Sequence, residues 1–153
     1  MQVKLEDIID GIEMQSEESR AYLNVETGEI VYVSREALLI ADDGEEFEHL
    51  PEWQQDEVKQ AYDIVDSTGK YTKLPTSFDI DEYDMMERFC YSFSDHKKQD
   101  ILLNSIKGKG AFRRFKDHVN RLGMDEQWYE YRDQRYKEIA KEFCQSKNID
   151  YIV

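Results

Sequence analysis

Between residues 4 and 13, Leu5, Ile8, Ile9 and Ile12 stand at i, i+3, i+4 and i+7, one apolar helical face in an otherwise charged stretch. The pattern then changes. Ala21–Val25 and Ile30–Val33 are β-branched and aromatic runs, separated by Glu26-Thr-Gly-Glu29, in which Gly28 is free to take positive φ. This predicts a β-hairpin. Ser34–Ile40 reads as the start of a short helix and Asp42-Asp-Gly-Glu-Glu46 as an acidic turn. Pro51 leads into a helix over 52–65, with Trp53, Val58, Ala61, Tyr62 and Val65 available for burial. Ser67–Lys70 reads as a loop and Tyr71–Leu74 as a short strand closed by Pro75.

Beyond this the chain reads as helices. Asp79 with Glu82 resembles a capping box, and Met86, Phe89, Cys90 and Phe93 share one face. Asp95 is placed to cap a second helix carrying Ile101, Leu102 and Ile106, which Gly108-Lys-Gly110 breaks. Residues 111–122 form a third, with Gly123 as C-cap, and Asp125 caps a long last helix to about Ser146. The apolar tail 149–153 suits a strand or packing on the core. The fold class expected is α+β, an N-terminal helix and β-hairpin packed on a mainly helical C-terminal half. The chain reads as one domain, 1–153, with a soft division near 66–78.

The length, 153 residues, suffices to bury a core without disulfide or metal. The two cysteines, Cys90 and Cys144, form no Cys-x-x-Cys and read as buried thiols in a reducing compartment, with a disulfide between them the alternative. No apolar signal core opens the chain, and no run approaches the ~18–20 apolar residues of a membrane span, so the expected location is cytoplasmic, with no membrane partner. Net charge is −14, unevenly spread: residues 1–66 carry 4 Lys and Arg against 19 Asp and Glu, whereas 67–153 carry 16 against 15.

That polarity draws attention to residues 107–121, where six Lys or Arg accompany one Asp. On a helix, Phe112, Phe115, Val119 and Leu122 fall on the core side, and Arg113, Arg114, Lys116, Asp117 and Arg121 on the other. Gly108-Lys-Gly110 just ahead lets backbone approach a ligand, and helix N-terminal amides favour an anion. The candidate anion- or partner-binding residues are Lys107, Lys109, Arg113, Arg114 and Lys116. Asp117 also stands at i±3 or i±4 from Arg113, Arg114 and Arg121, spacings that permit ion pairs of about 0.2–0.5 kcal/mol each, so an internal network explains the same residues.

Trp128–Tyr136 sets aromatics beside arginines, a composition that stacks on bases; the spacing of Tyr129, Tyr136, Ala140 and Phe143 instead matches a buried stripe, with Arg132 and Arg135 over the rings or paired with acids. His49, His96 and His118 keep no metal spacing and read as surface residues, and no metal or cofactor is implied. No catalytic constellation is recognisable, which leans against an enzyme.

Gly108-Lys-Gly-Ala-Phe-Arg-Arg-Phe-Lys-Asp117, Trp128-Tyr129 and the helix ending Ala140-x-x-Phe-Cys144 resemble a family of small bacterial proteins of unknown function, uncharacterised protein family number 158. Tyr22–Val31 resembles its opening hairpin, and Leu74–Met86 its proline, small polar residue and following helix. Phe143 stands where tryptophan is the commoner residue. The resemblance implies a bacterial, cytoplasmic protein and supplies no activity or catalytic residue.

Three functional readings follow. The first is a non-enzymatic binding or regulatory module, whose basic helix meets an acidic protein partner and whose acidic half meets a basic one. The second is weak nucleic-acid binding through the same strip. The third is an enzyme acting on a phosphorylated small molecule at Gly108–Gly110. Oligomeric state is open on this pattern.

Overall fold

Asn24 organises the hairpin. Its Oδ1 accepts from the amides of Glu26 (2.9 Å) and Thr27 (3.2 Å), and its carbonyl from Gly28 (2.8 Å), which takes φ 81°. The turn joins β2 (Ser19–Asn24) to β3 (Ile30–Ser34), in the antiparallel register Ser19↔Ser34 to Leu23↔Ile30. β4 (Tyr71–Lys73) pairs antiparallel with the other edge of β2, giving the order β3-β2-β4. The computed structural model describes residues 2–77 and 79–153. The chain divides into two compact units, Met1–Asp79 with Ala140–Val153, and Ile80–Ile139. Fold class is α+β, with the expected N-terminal helix and hairpin.

In the first unit, β1 (Gln2–Lys4) precedes α1 (Leu5–Glu13), whose Leu5, Ile8 and Ile12 are buried. The sequence pattern shows no β1. It pairs parallel with β5 (Asp150–Ile152), Gln2↔Asp150 to Lys4↔Ile152, and so gives the apolar tail its place. Gly11 lies on the buried face of α1; a Cβ there would stand 2.6 Å from Leu74 Cδ1 and 3.3 Å from Ile30 Cδ1, so any side chain would force Leu74 to shift.

α2 (Arg35–Asp43) starts on a Ser34 side chain that accepts from the Ala37 amide and ends on Gly44 at φ 67°. The expected acidic turn is thus shorter than the run, Asp42 and Asp43 being helical. α3 (Glu52–Asp66) packs on α2 through Val58 and Ala61, in a cluster with Val33, Ala37 and Ala41. Trp53, counted among residues available for burial, is 69 % exposed: five residues from Val58 is about 140° round the helix. Val65, in the last turn, is also exposed.

Beyond α3, Asp63 accepts from Tyr71 Oη (2.6 Å), Lys70 Nζ (3.0 Å) and Ser67 Oγ (3.0 Å), tying the helix to the loop and β4. These bonds, Tyr71's first, hold its carboxyl below the ordinary range. A group with a depressed native pKa contributes stability above its unfolded value, near 4, that is lost as pH falls through the native one. The difference in urea midpoint between wild type and Asp63→Asn is therefore expected to shrink below about pH 4. A difference that stays constant to pH 2 would show that the carboxylate contributes nothing in its charged form.

The second unit is helical: α4 (Glu82–Tyr91), α5 (His96–Ser105), α6 (Ala111–Arg121) and the first part of α7 (Asp125–Ser146). Asp81, not Asp79, caps α4, accepting from the Asp84 amide at 2.9 Å, because the helix begins two residues later. Asp79 closes its own turn on the amide and hydroxyl of Thr76 (2.9 and 3.1 Å). Asp95 caps α5 as the sequence predicts. Phe89, Phe115 and Trp128 form an aromatic cluster, with ring centroids 4.8–6.0 Å apart, and Phe93 and Tyr131 flank Phe89.

Candidate partner-binding surface

α6 begins at Gly110, the second of two glycines with φ 76°, and no side chain caps it. Its buried face is Ala111, Phe115 and Val119. Phe112 does not join that face as expected: it lies about 100° round from Ala111 and is 47 % exposed. The stripe Ala111–Phe115–Val119, at i, i+4 and i+8, was the signal that places Phe112 outside.

The five candidate cations separate into two sets. The Arg114 guanidinium turns onto its own chain: Nε donates to the Ser105 carbonyl at 3.0 Å, and Nη1 and Nη2 donate to the carbonyls of Lys109 and Lys107. It bridges the C-terminal end of α5, where carbonyls carry partial negative charge, and the glycine loop. Three of the five guanidinium N–H donors are thus engaged by backbone carbonyls. The Arg114 carbonyl in turn accepts from His118 Nδ1 at 2.8 Å.

Lys107, Lys109, Arg113 and Lys116 are exposed, and among the described residues none makes an ion pair. Asp117 pairs with none of Arg113, Arg114 and Arg121 there, so the internal network that the spacing permits is not formed. Phe112 and Lys116 are i,i+4 neighbours, and Arg113 and Lys116 i,i+3, so the ring and two cations share one helix face. Lys109 precedes the helix directly. The arrangement offers point charges and one apolar ring to an anionic surface.

On α7 the expected stripe shifts. Tyr129 is 60 % exposed and Trp128 buried, the larger indole taking the place beside Phe89 and Phe115. Arg132 lies over the Tyr136 ring at 4.4 Å and meets Glu82 at 3.4 Å, while Tyr136 Oη donates to Glu82 at 2.7 Å. These residues fasten the start of α4 to α7.

Cys90 and Cys144 are free and buried, and desolvation pushes the Cys90 thiol up to about 11 and the Cys144 thiol upward, away from the thiolate that reacts. His49 and His96 are exposed and His118 half-buried. Among the described residues no group of three or more His, Cys, Asp or Glu is placed to hold a metal, and no helix is long and apolar enough to cross a membrane.

No curated protein and no solved structure matches the chain. The model of the uncharacterised protein family UPF0158 matches residues 1–153, the whole length over which the glycine loop, the basic helix and the hairpin are distributed, and the chain belongs to that family.

Proposed function

We propose that the protein is a non-enzymatic binding or regulatory module of the cytoplasm, which engages an acidic protein partner through Lys107, Lys109, Arg113 and Lys116. The observation that carries this reading is four exposed cations without ion pairs among the described residues, on a chain of net charge −14. Such charges speed encounter with an anionic surface and fix its register. Phe112 adds an apolar anchor beside Arg113, the residue classes that dominate interface energetics. Two free, buried cysteines suit a reducing compartment.

A second reading, weak binding of single-stranded nucleic acid, rests on the exposed Phe112 ring, on which a base can stack. Four cations would give log K against log salt a slope of about −3.

The test is capture from bacterial extract by wild type and by Arg113→Glu/Lys116→Glu, with protein and nucleic acid identified separately and folding followed by circular dichroism. The variant spares Arg114, whose bonds are internal. A bound acidic protein lost in the folded variant is the expected result; loss of nucleic acid alone favours the second reading. Complexes that survive the charge reversal would sink both.

A further inference from the structure

The strongest feature outside α6 is a groove between α2 and α3. It is lined by Ala37, Ile40 and Val58, together with Trp53, Glu36 and Glu57. Its volume is about 210 Å³. That is below the ~300–1,000 Å³ of ligand clefts, and suits one long side chain better than a cofactor.

Each part of the lining has a use for the same guest. Half-buried Ile40 offers apolar surface to the methylene stem of a lysine or arginine, which buries its stem while its head stays polar. Trp53, which borders the groove and is 69 % exposed, is the ring type that attracts a cation best. Glu36 is exposed, and Glu57 is anchored by accepting the Ser34 amide at 2.7 Å through one oxygen. Residues 34–66 carry 11 Asp and Glu against 2 Lys and Arg, so the field around the groove is strongly negative.

We infer that the α2–α3 groove receives a lysine or arginine side chain from a basic segment of a partner protein, held by Trp53, Glu36 and Glu57. Charge complementarity selects this occupant. A second copy of the chain brings its own net charge of −14 and is repelled at long range. The inference is independent of the proposal for α6 and uses none of its residues.

The probe is fluorescein-labelled tetralysine followed by anisotropy at low salt on the full chain, with tetraglutamate as control. Saturable binding to wild type is expected, weakened at least tenfold by Trp53→Ala and several-fold by Glu36→Gln, and little changed by Glu46→Gln, which removes a charge outside the groove lining. Both informative positions are exposed, so circular dichroism should show native variants. No saturable binding, or equal weakening by Glu36→Gln and Glu46→Gln with Trp53→Ala without effect, would reduce the groove to diffuse attraction and overturn the inference. So would a concentration-dependent dimer of the wild type that Trp53→Ala abolishes, because the occupant would then be a second copy. None of these outcomes depends on Arg113 or Lys116, so failure here leaves the α6 reading standing.

Discussion

Phe115→Ala is expected to destabilise the helical unit by about 3–5 kcal/mol, whereas Phe112→Ala, three residues earlier on the same helix, should stay within about 0.5 kcal/mol. Phe115 is 0 % exposed, and its ring centroid lies 4.8 Å from Trp128 and 6.0 Å from Phe89. Truncation removes most of an aromatic side chain from a cluster whose members sit on different helices, so the cavity cannot close by one side chain turning. Phe112 gives up only partial burial. Urea unfolding followed by far-ultraviolet dichroism measures both, and native-state tryptophan fluorescence adds a local readout, because Trp128 loses its neighbour only in Phe115→Ala. Equal losses in the two variants would mean that the helix is rotated from the phase described.

That contrast also marks the limit of what periodicity reads. The placement of α1, the β2–β3 hairpin, α3 and all four later helices follows from the residues themselves, because each carries several apolar positions in one period or a recognisable turn or cap. The hairpin is legible because Asn24 and Gly28 build a turn whose strands are adjacent in sequence. β1 is not, because three residues hold no period and its partner β5 lies at the far end of the chain. Phase within a helix is harder than existence. Phe112 or Phe115, Tyr129 or Trp128, and Trp53 or Val58 are each alternatives on helices correctly placed, decided by which neighbouring element the face meets. Trp53 shows the cost: a large apolar residue is assumed to be inside, and the assumption conceals the groove it borders.

The candidate surface was legible in part. Clustering of cations at 107–121 is a property of composition, and the helix that displays them follows from the apolar stripe. Two adjacent arginines, however, carry no mark of their fates. Arg113 points to solvent, and Arg114 reaches back five to nine residues to three carbonyls. That difference depends on how α5 ends and on the positive φ of Gly108 and Gly110, which turn the loop carbonyls toward the guanidinium. The glycines, read from sequence as an opening for a ligand, accommodate the chain's own arginine.

Arg114→Ala is accordingly expected to cost about 1–3 kcal/mol, the range for hydrogen bonds made to a charged group, reduced because the side chain is only half-buried. Arg114→Lys should recover little of this. An ammonium is a point charge and cannot span carbonyls at Lys107, Lys109 and Ser105 as the planar fork does. Arg113→Ala, which removes an exposed side chain with no ion pair among the described residues, should lie within about 0.5 kcal/mol of wild type. Denaturant midpoints give the order, and amide exchange across residues 107–111 gives the location, since release of the clamp loosens the loop before the helices. If the fork is what matters, faster exchange in that loop accompanies both Arg114 variants and is absent from Arg113→Ala. If Arg114→Lys matches wild type in stability and exchange, charge alone suffices. Arg114 would then rejoin the other cations as a residue available to a partner, and the charge-reversal variant that tests the surface would have to include it.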